Sequence, residues 1–235
     1  MEPTYTNVKN TILSLAQPER AAFLARFFKT APGQYGEGDQ FLGLSMPQQH
    51  VVVKQYRNLS IDETEKLVRD PYHECRMVGL LIWVKQTKKA GPTQQATVLE
   101  RYLANRHYIN NWDLVDVTCP HIVGRYVAKG ESSILYDLAN EETIWSQRIA
   151  IVSTLALIRL GKFGDTFALA EVLLSQKHDL IHKAIGWMLR EVGKRNVDAL
   201  EEFLHDHIQQ MPRTALRYAI EHFDPNRRQY YLALR

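Results

Sequence analysis

Apolar residues recur three and four positions apart along most of the chain, the spacing that gathers them on one face of an α-helix. Strict apolar–polar alternation is missing, and no Asn-Gly or Asp-Gly pair marks a hairpin. The pattern predicts helices over residues 6–16, 18–28, 47–57, 61–69, 71–88, 92–105, 112–128, 132–139, 144–160, 166–175, 180–194, 197–208, 213–222 and 226–234. Pro18, Pro47, Pro71 and Pro92 fall at predicted first turns, where the missing N–H has no partner to lose. Short breaks such as Ala90-Gly91-Pro92 and Lys129-Gly130 separate the segments. The predicted fold class is all-α. Residues 29–45, KTAPGQYGEGDQFLGLS, stand apart with four glycines and a proline. A connection of that length is either functional or a plain surface loop.

The helical pattern repeats. Arg76 lies in ECRMVGLLIW, Arg148 in WSQRIAIVSTLAL and Lys183 in IHKAIGWMLREV. Each is a basic residue near the start of the more apolar helix of a pair. Arg148 and Lys183 are about 35 residues apart; Arg76 and Arg148 are about twice that, with Trp112 at the midpoint. A two-helix unit of this period predicts a HEAT-like helical repeat solenoid, one domain over residues 1–235, whose equivalent helices line a concave basic groove. Trp112, Arg148 and Lys183 then hold equivalent positions. Residues four apart share a helix face, so Trp112 brings Asp116 into the groove and Lys183 brings Trp187.

Such a groove has a chemistry. Breaking a glycosidic bond leaves an oxocarbenium-like sugar, which a carboxylate stabilises while orienting a water for attack. A general acid is dispensable when the leaving base is already cationic, as an N3- or N7-alkylated purine is. Indole faces add cation–π attraction, about 0.5–1 kcal/mol each in water. Asp113 competes with Asp116 for the acid's role, or is a first-turn residue favoured by the helix dipole. Taken singly, the tryptophans also fit core packing, and Asp116 also fits a surface ion pair.

The formal net charge of +3 is modest, so clustering decides its meaning. Arg148, Lys183, Arg190, Lys194, Arg195, Arg213 and Arg217 all fall in the C-terminal half. Arg190 and Lys194 are one turn apart, as are Arg213 and Arg217. On one concave face they fit a phosphate backbone, gripped without reading sequence. The alternative is a set of solvated charges paired with Glu191, Glu201 or Glu202.

Composition excludes several other classes. At 45% hydrophobic and 23% charged residues the chain is ordinary for a soluble domain, with no apolar run of about 20 residues and no basic-then-apolar leader. Cys75 and Cys119 are far apart and read as buried thiols in a reducing cytoplasm. His178 and His182 lack a third ligand, and no nucleotide-binding glycine motif occurs. No cofactor and no metal are expected, and no heptad pattern suggests more than a monomer.

Three strings, NWDLVD (111–116), IWSQRIAIV (144–152) and KAIGWMLREVGK (183–194), resemble the DNA alkylation repair family of AlkD-like glycosylases. FLGLSMP (41–47) resembles that family's N-terminal entry motif, and the similarity runs from about Phe23 to Tyr218. The resemblance implies a HEAT-like glycosylase that removes N3- and N7-alkylpurines from duplex DNA without flipping the lesion into a pocket. It implies that Asp116 is the catalytic carboxylate, that Trp112 and Trp187 contact the lesion's deoxyribose, and that Arg148 supports the site and backbone. Lys183, Arg190, Lys194, Arg213 and Arg217 complete the expected DNA-binding set. Two positions depart from the family. Pro47 is followed by Gln48, Gln49 and His50 where an Arg is common at the third place, and Phe27 stands where a Tyr is common. Other classes that fit the helices are a non-catalytic DNA-binding or damage-sensing module and a protein-interaction scaffold. A carboxylate facing phosphates repels the ligand, which weighs against a pure binder.

Overall fold

The computed structural model describes residues 3–234. Among them no β-strand occurs, and sheet-type pairing is limited to one isolated bridge between Gln40 and Tyr72. The expected all-α class is what the structure shows. No helix among the described residues is long and apolar enough to cross a membrane. The chain divides into two compact units, Met1–Ile122 and Val123–Arg235.

The first unit holds α1 (Tyr5–Ser14), α2 (Pro18–Phe27), α3 (Met46–Gln55), α4 (Ile61–Val68), α5 (His73–Lys89), α6 (Pro92–Ala104) and α7 (Trp112–Asp116). Their starts are chemically marked. Thr4 and Ser45 each form a capping box, with Asn7 and Gln48 at the third helical position. Pro18 and Pro92 open α2 and α6, and Pro47 falls in the first turn of α3. Helix α5 is the axis of the unit: α3, α4, α6 and α7 all pack against it. Its Met77, Leu80, Ile82 and Trp83 are fully enclosed, and burying each such side chain contributes about 1.5–3 kcal/mol.

Helix α8 (Cys119–Val127) spans the division. The second unit continues with α9 (Ser133–Ala139), α10 (Ile144–Ser153), α11 (Leu155–Ile158), α12 (Gly164–Leu173), α13 (Asp179–Gly193), α14 (Val197–His207), α15 (Arg213–Ala219) and α16 (Pro225–Ala233). Here α13 is the axis, packed by α10, α12, α14 and α15. Gly186 lets α15 approach closely: a Cβ there would lie 2.4 Å from both the Ala215 carbonyl and the Tyr218 Cβ.

Most predicted helices shift at their ends, and three of the differences have a visible local cause. The segment over 71–88 begins only at His73, because Asp70 Oδ1 accepts from the Tyr72 N–H at 2.9 Å and holds a turn through Pro71. The segment over 112–128 breaks at Val117 and Thr118. Pro120 has no N–H for the Asp116 carbonyl, and its ring crowds that carbonyl. The segment over 144–160 breaks at Thr154, whose hydroxyl donates to the Ile151 carbonyl at 2.7 Å.

The glycine-rich segment is bound to the fold. Glu74, buried in the first turn of α5, accepts from the N–H groups of Leu42, Gly43 and Leu44 at 2.9, 2.7 and 3.2 Å. Gly43 sits at φ +90, where a Cβ would meet the Gln17 carbonyl at 2.4 Å. The tail of the loop therefore lies along the start of α5 and carries Asp39 and Phe41 with it.

Candidate functional site

Each unit carries part of the expected residue set. In the first unit, the five-residue α7 has Trp112 at its first position and Asp116 at its last, both half-buried. Spaced by four, they lie one above the other on one helix face. Asn111 caps the helix by accepting from the Trp112 N–H at 2.9 Å. The Trp112 indole stacks on Phe28 with centroids 5.3 Å apart and meets Phe27 edge-on at 6.2 Å. Phe28 in turn stacks on Phe41 at 5.0 Å. Phe27 thus contributes its ring to this wall and is itself exposed.

The repeat register shifts slightly. Arg148 and Lys183 are each the fifth residue of their helices. In α7 the fifth residue is Asp116. Counted from the helix start, Asp116, rather than Trp112, is the counterpart of the two cations.

A short helix cannot hold itself. What fixes α7 is a buried polar network that the sequence did not announce. Asp113 Oδ2 accepts from His73 Nε2 at 2.9 Å, and its Oδ1 accepts from the Leu114 N–H at 2.8 Å. The other side of the ring, His73 Nδ1, donates to Asp39 Oδ2 at 3.1 Å. Asp39 also accepts from Arg76 Nη2 at 2.5 Å and from the amides of Asn110 and Asn111 at 3.3 Å. Arg76 further donates to the carbonyls of Asp70 and Pro71 at 3.1 and 3.0 Å. Two carboxylates thus face one imidazole and one guanidinium.

The charges of this network follow from its surroundings. Burial disfavours a charged His73, but the Asp113 and Asp39 carboxylates outweigh it and push the ring's pKa up to about 9. The ring is therefore an imidazolium at neutral pH, with both N–H groups donating. It stacks on Phe41 at 4.5 Å, a face that favours a cation. Burial likewise opposes a charged Asp39, yet the His73 hydrogen bond and Arg76 hold its carboxyl below the usual range. Asp113, a candidate acid on sequence grounds, has both oxygens engaged: Oδ2 ties α7 to His73 of α5, and Oδ1 accepts within α7.

In the second unit, Arg148 is buried on α10 and its Nη1 donates to the Leu180 carbonyl in the first turn of α13. Trp187 is half-buried on α13, one turn beyond Lys183. The cations expected to bind DNA fall into two groups. Lys183 pairs with Asp179 at 2.8 Å, Lys194 pairs with Glu191 at 2.6 Å, and Arg190 pairs with Glu221 while lying over the Tyr218 ring at 5.9 Å. The Lys183 hydrogen bond holds the Asp179 carboxyl below its usual range; Lys194, working against burial, does the same for Glu191. Arg213 and Arg217, by contrast, are exposed on one face of α15 and make no ion pair among the described residues.

Sequence reasoning missed His73, Asp39, Phe28 and Phe41. His73 and Asp39 meet across 34 positions and His73 and Asp113 across 40, so no local spacing could reveal them.

The all-helical fold is also seen among known proteins. A family model described as DNA alkylation repair enzyme matches residues 8–223, and the chain belongs to that family. A solved structure described as a predicted DNA alkylation repair enzyme from Enterococcus faecalis shares the fold, with a TM-score of 0.70 and 18% identity. The match covers 89% of this chain and 97% of that one. No curated protein matches the chain.

Proposed function

We propose that this chain is a monofunctional DNA glycosylase that hydrolyses the N-glycosidic bond of N3- and N7-alkylpurines in duplex DNA, acting as a monomer and without flipping the base. The observation that carries the reading is α7 itself. Asp116 and Trp112 share one face of a helix whose other acid, Asp113, is committed to His73. The carboxylate we assign to the chemistry is therefore Asp116, the acid that shares a face with Trp112.

Its role is electrostatic. As the bond from the sugar C1′ to the base nitrogen lengthens, the bonding pair goes to the base and cancels its positive charge. The positive charge moves to the sugar, where a carboxylate stabilises it. Water then adds at C1′ and loses a proton to Asp116 or to solvent. The departing base is neutral, so no acid is required. The Trp112 indole, held against Phe28, offers a π face to the sugar cation. Trp187 and Arg148 are assigned to the same substrate, Trp187 against deoxyribose and Arg148 in support of the backbone.

Within the expected DNA-binding set, Arg213 and Arg217 are the strongest candidates for phosphate contacts, since no carboxylate partner must be displaced. Lys183, Arg190 and Lys194 would have to exchange Asp179, Glu221 and Glu191 for phosphate. Replacing both Arg213 and Arg217 with alanine is expected to weaken binding to any duplex sequence and to reduce the salt slope of log K by about 2. Titrations at several salt concentrations check this, and an unchanged slope removes α15 from the interface. The glycosylase reading is tested by release of free alkylated purine from methylated duplex DNA, with the wild-type chain beside Asp116→Asn.

A further inference from the structure

In the first unit, a cleft of about 920 Å³ opens between the C-terminal ends of α3 and α5. Five cations line it: Lys54 and Arg57 from α3 and the turn after it, and Lys85, Lys88 and Lys89 from the last turns of α5. All five are exposed, none forms an ion pair among the described residues, and no acidic residue lines the cleft. Lysines at helix C-termini complement the helix dipole, but that effect amounts to roughly half a charge per helix. Five positive charges around one cleft exceed it several-fold. Salt screens part of their mutual repulsion, and a bound polyanion relieves the rest.

The cleft is distinct from the α7 region. Lys85 follows His73, which anchors α7, by twelve residues of continuous helix, or about 18 Å at 1.5 Å per residue. The carbonyls that end the α3 turn are already satisfied, since Gln86 Nε2 donates to Leu59 at 2.7 Å and to Arg57 at 3.4 Å. The cations are thus not needed as caps there. No Phe, Tyr or Trp lines the cleft, whose one ring is the His50 imidazole, so the dominant recognised feature is charge rather than a nucleoside.

We propose that this cleft is a second DNA contact, a seat for the phosphodiester backbone away from the α7 site. The proposal rests on the reading of the chain as a DNA-acting enzyme, but not on Asp116 or on catalysis. The test measures affinity for an undamaged duplex as a function of salt, using wild type and Arg57→Ala/Lys88→Ala. The double variant is expected to bind roughly 10-fold more weakly near 0.1 M salt, with a salt slope smaller by about 2. Excision at saturating DNA should be unchanged, because the variant leaves α7 untouched. Inorganic tripolyphosphate, titrated in parallel, separates a backbone seat from a site for free phosphates. If tripolyphosphate binding is lost in the variant while duplex affinity and slope stay at wild-type values, the cleft takes a free anion and the proposal fails. If neither changes, the proposal also fails. Circular dichroism of the variant confirms the fold, which substitutions at exposed positions are expected to leave within about 0.5 kcal/mol.

Discussion

Replacing Asp116 with asparagine should reduce release of 7-methylguanine from methylated duplex DNA by at least about 100-fold while leaving DNA affinity unchanged or tighter. The substitution keeps the shape of the side chain and removes its charge. A preorganised group aimed at the charge that develops in a transition state typically accounts for a factor of about 10²–10³. The same charge repels phosphate, so its loss cannot weaken binding through electrostatics. The two readouts therefore move apart, which a merely unfolded variant would not produce. Asp113→Asn is the informative companion. Asp113 holds His73, so that variant should lose stability and, through α7, some activity, but at permissive temperature it should retain turnover that Asp116→Asn lacks. Equal excision by Asp116→Asn and wild type would reject the assigned carboxylate.

The second large effect concerns His73. Removing it leaves the buried Asp39 with Arg76 alone and takes from the half-buried Asp113 its cationic partner. Breaking a buried ion pair on one side typically costs about 3–5 kcal/mol, and His73→Ala is expected in that range. A subtler variant, His73→Gln, tests the charge itself. The ring's folded pKa of about 9 exceeds an unfolded value near 6.5. The stabilisation from its positive charge is fully present below the unfolded value and is lost as pH rises through the folded one. Integrated over that interval, it is on the order of 3 kcal/mol. Urea unfolding midpoints of wild type should accordingly fall between pH 6.5 and 9, and His73→Gln should remove most of that slope. Parallel slopes in the two proteins would mean that the ring is neutral in the folded state.

These expectations show where sequence was enough and where it was not. Helix periodicity and proline positions gave the all-α class and the approximate extents of most helices, because both signals are local. The spacing of Trp112 and Asp116 put them on one helix face for the same reason. Pro120 was in plain view, and the break it imposes on the 112–128 segment was legible but overlooked. The pairing of Lys194 with Glu191, three residues apart, was one of the alternatives read from the sequence. The pairing of Arg190 with Glu221 was not, since the two residues lie on different helices. Least legible was the part of the 29–45 segment that matters most. Its glycines signalled a loop, yet nothing local says that Asp39 closes a four-residue charge network or that Phe41 stacks on His73. Those contacts exist only because Glu74 gathers three loop amides onto the start of α5. A polar residue drawn into a core by tertiary packing has no periodicity to betray it.

The measurement that bears most directly on the central claim is product analysis on a duplex containing one 7-methylguanine, with the wild-type chain in excess. A carboxylate that stabilises a sugar losing an already cationic base predicts free 7-methylguanine, an abasic strand left intact, and no covalent complex trapped by borohydride. Absence of base release at a concentration that saturates the DNA would contradict the claim, as would strand cleavage accompanied by a trapped Schiff base.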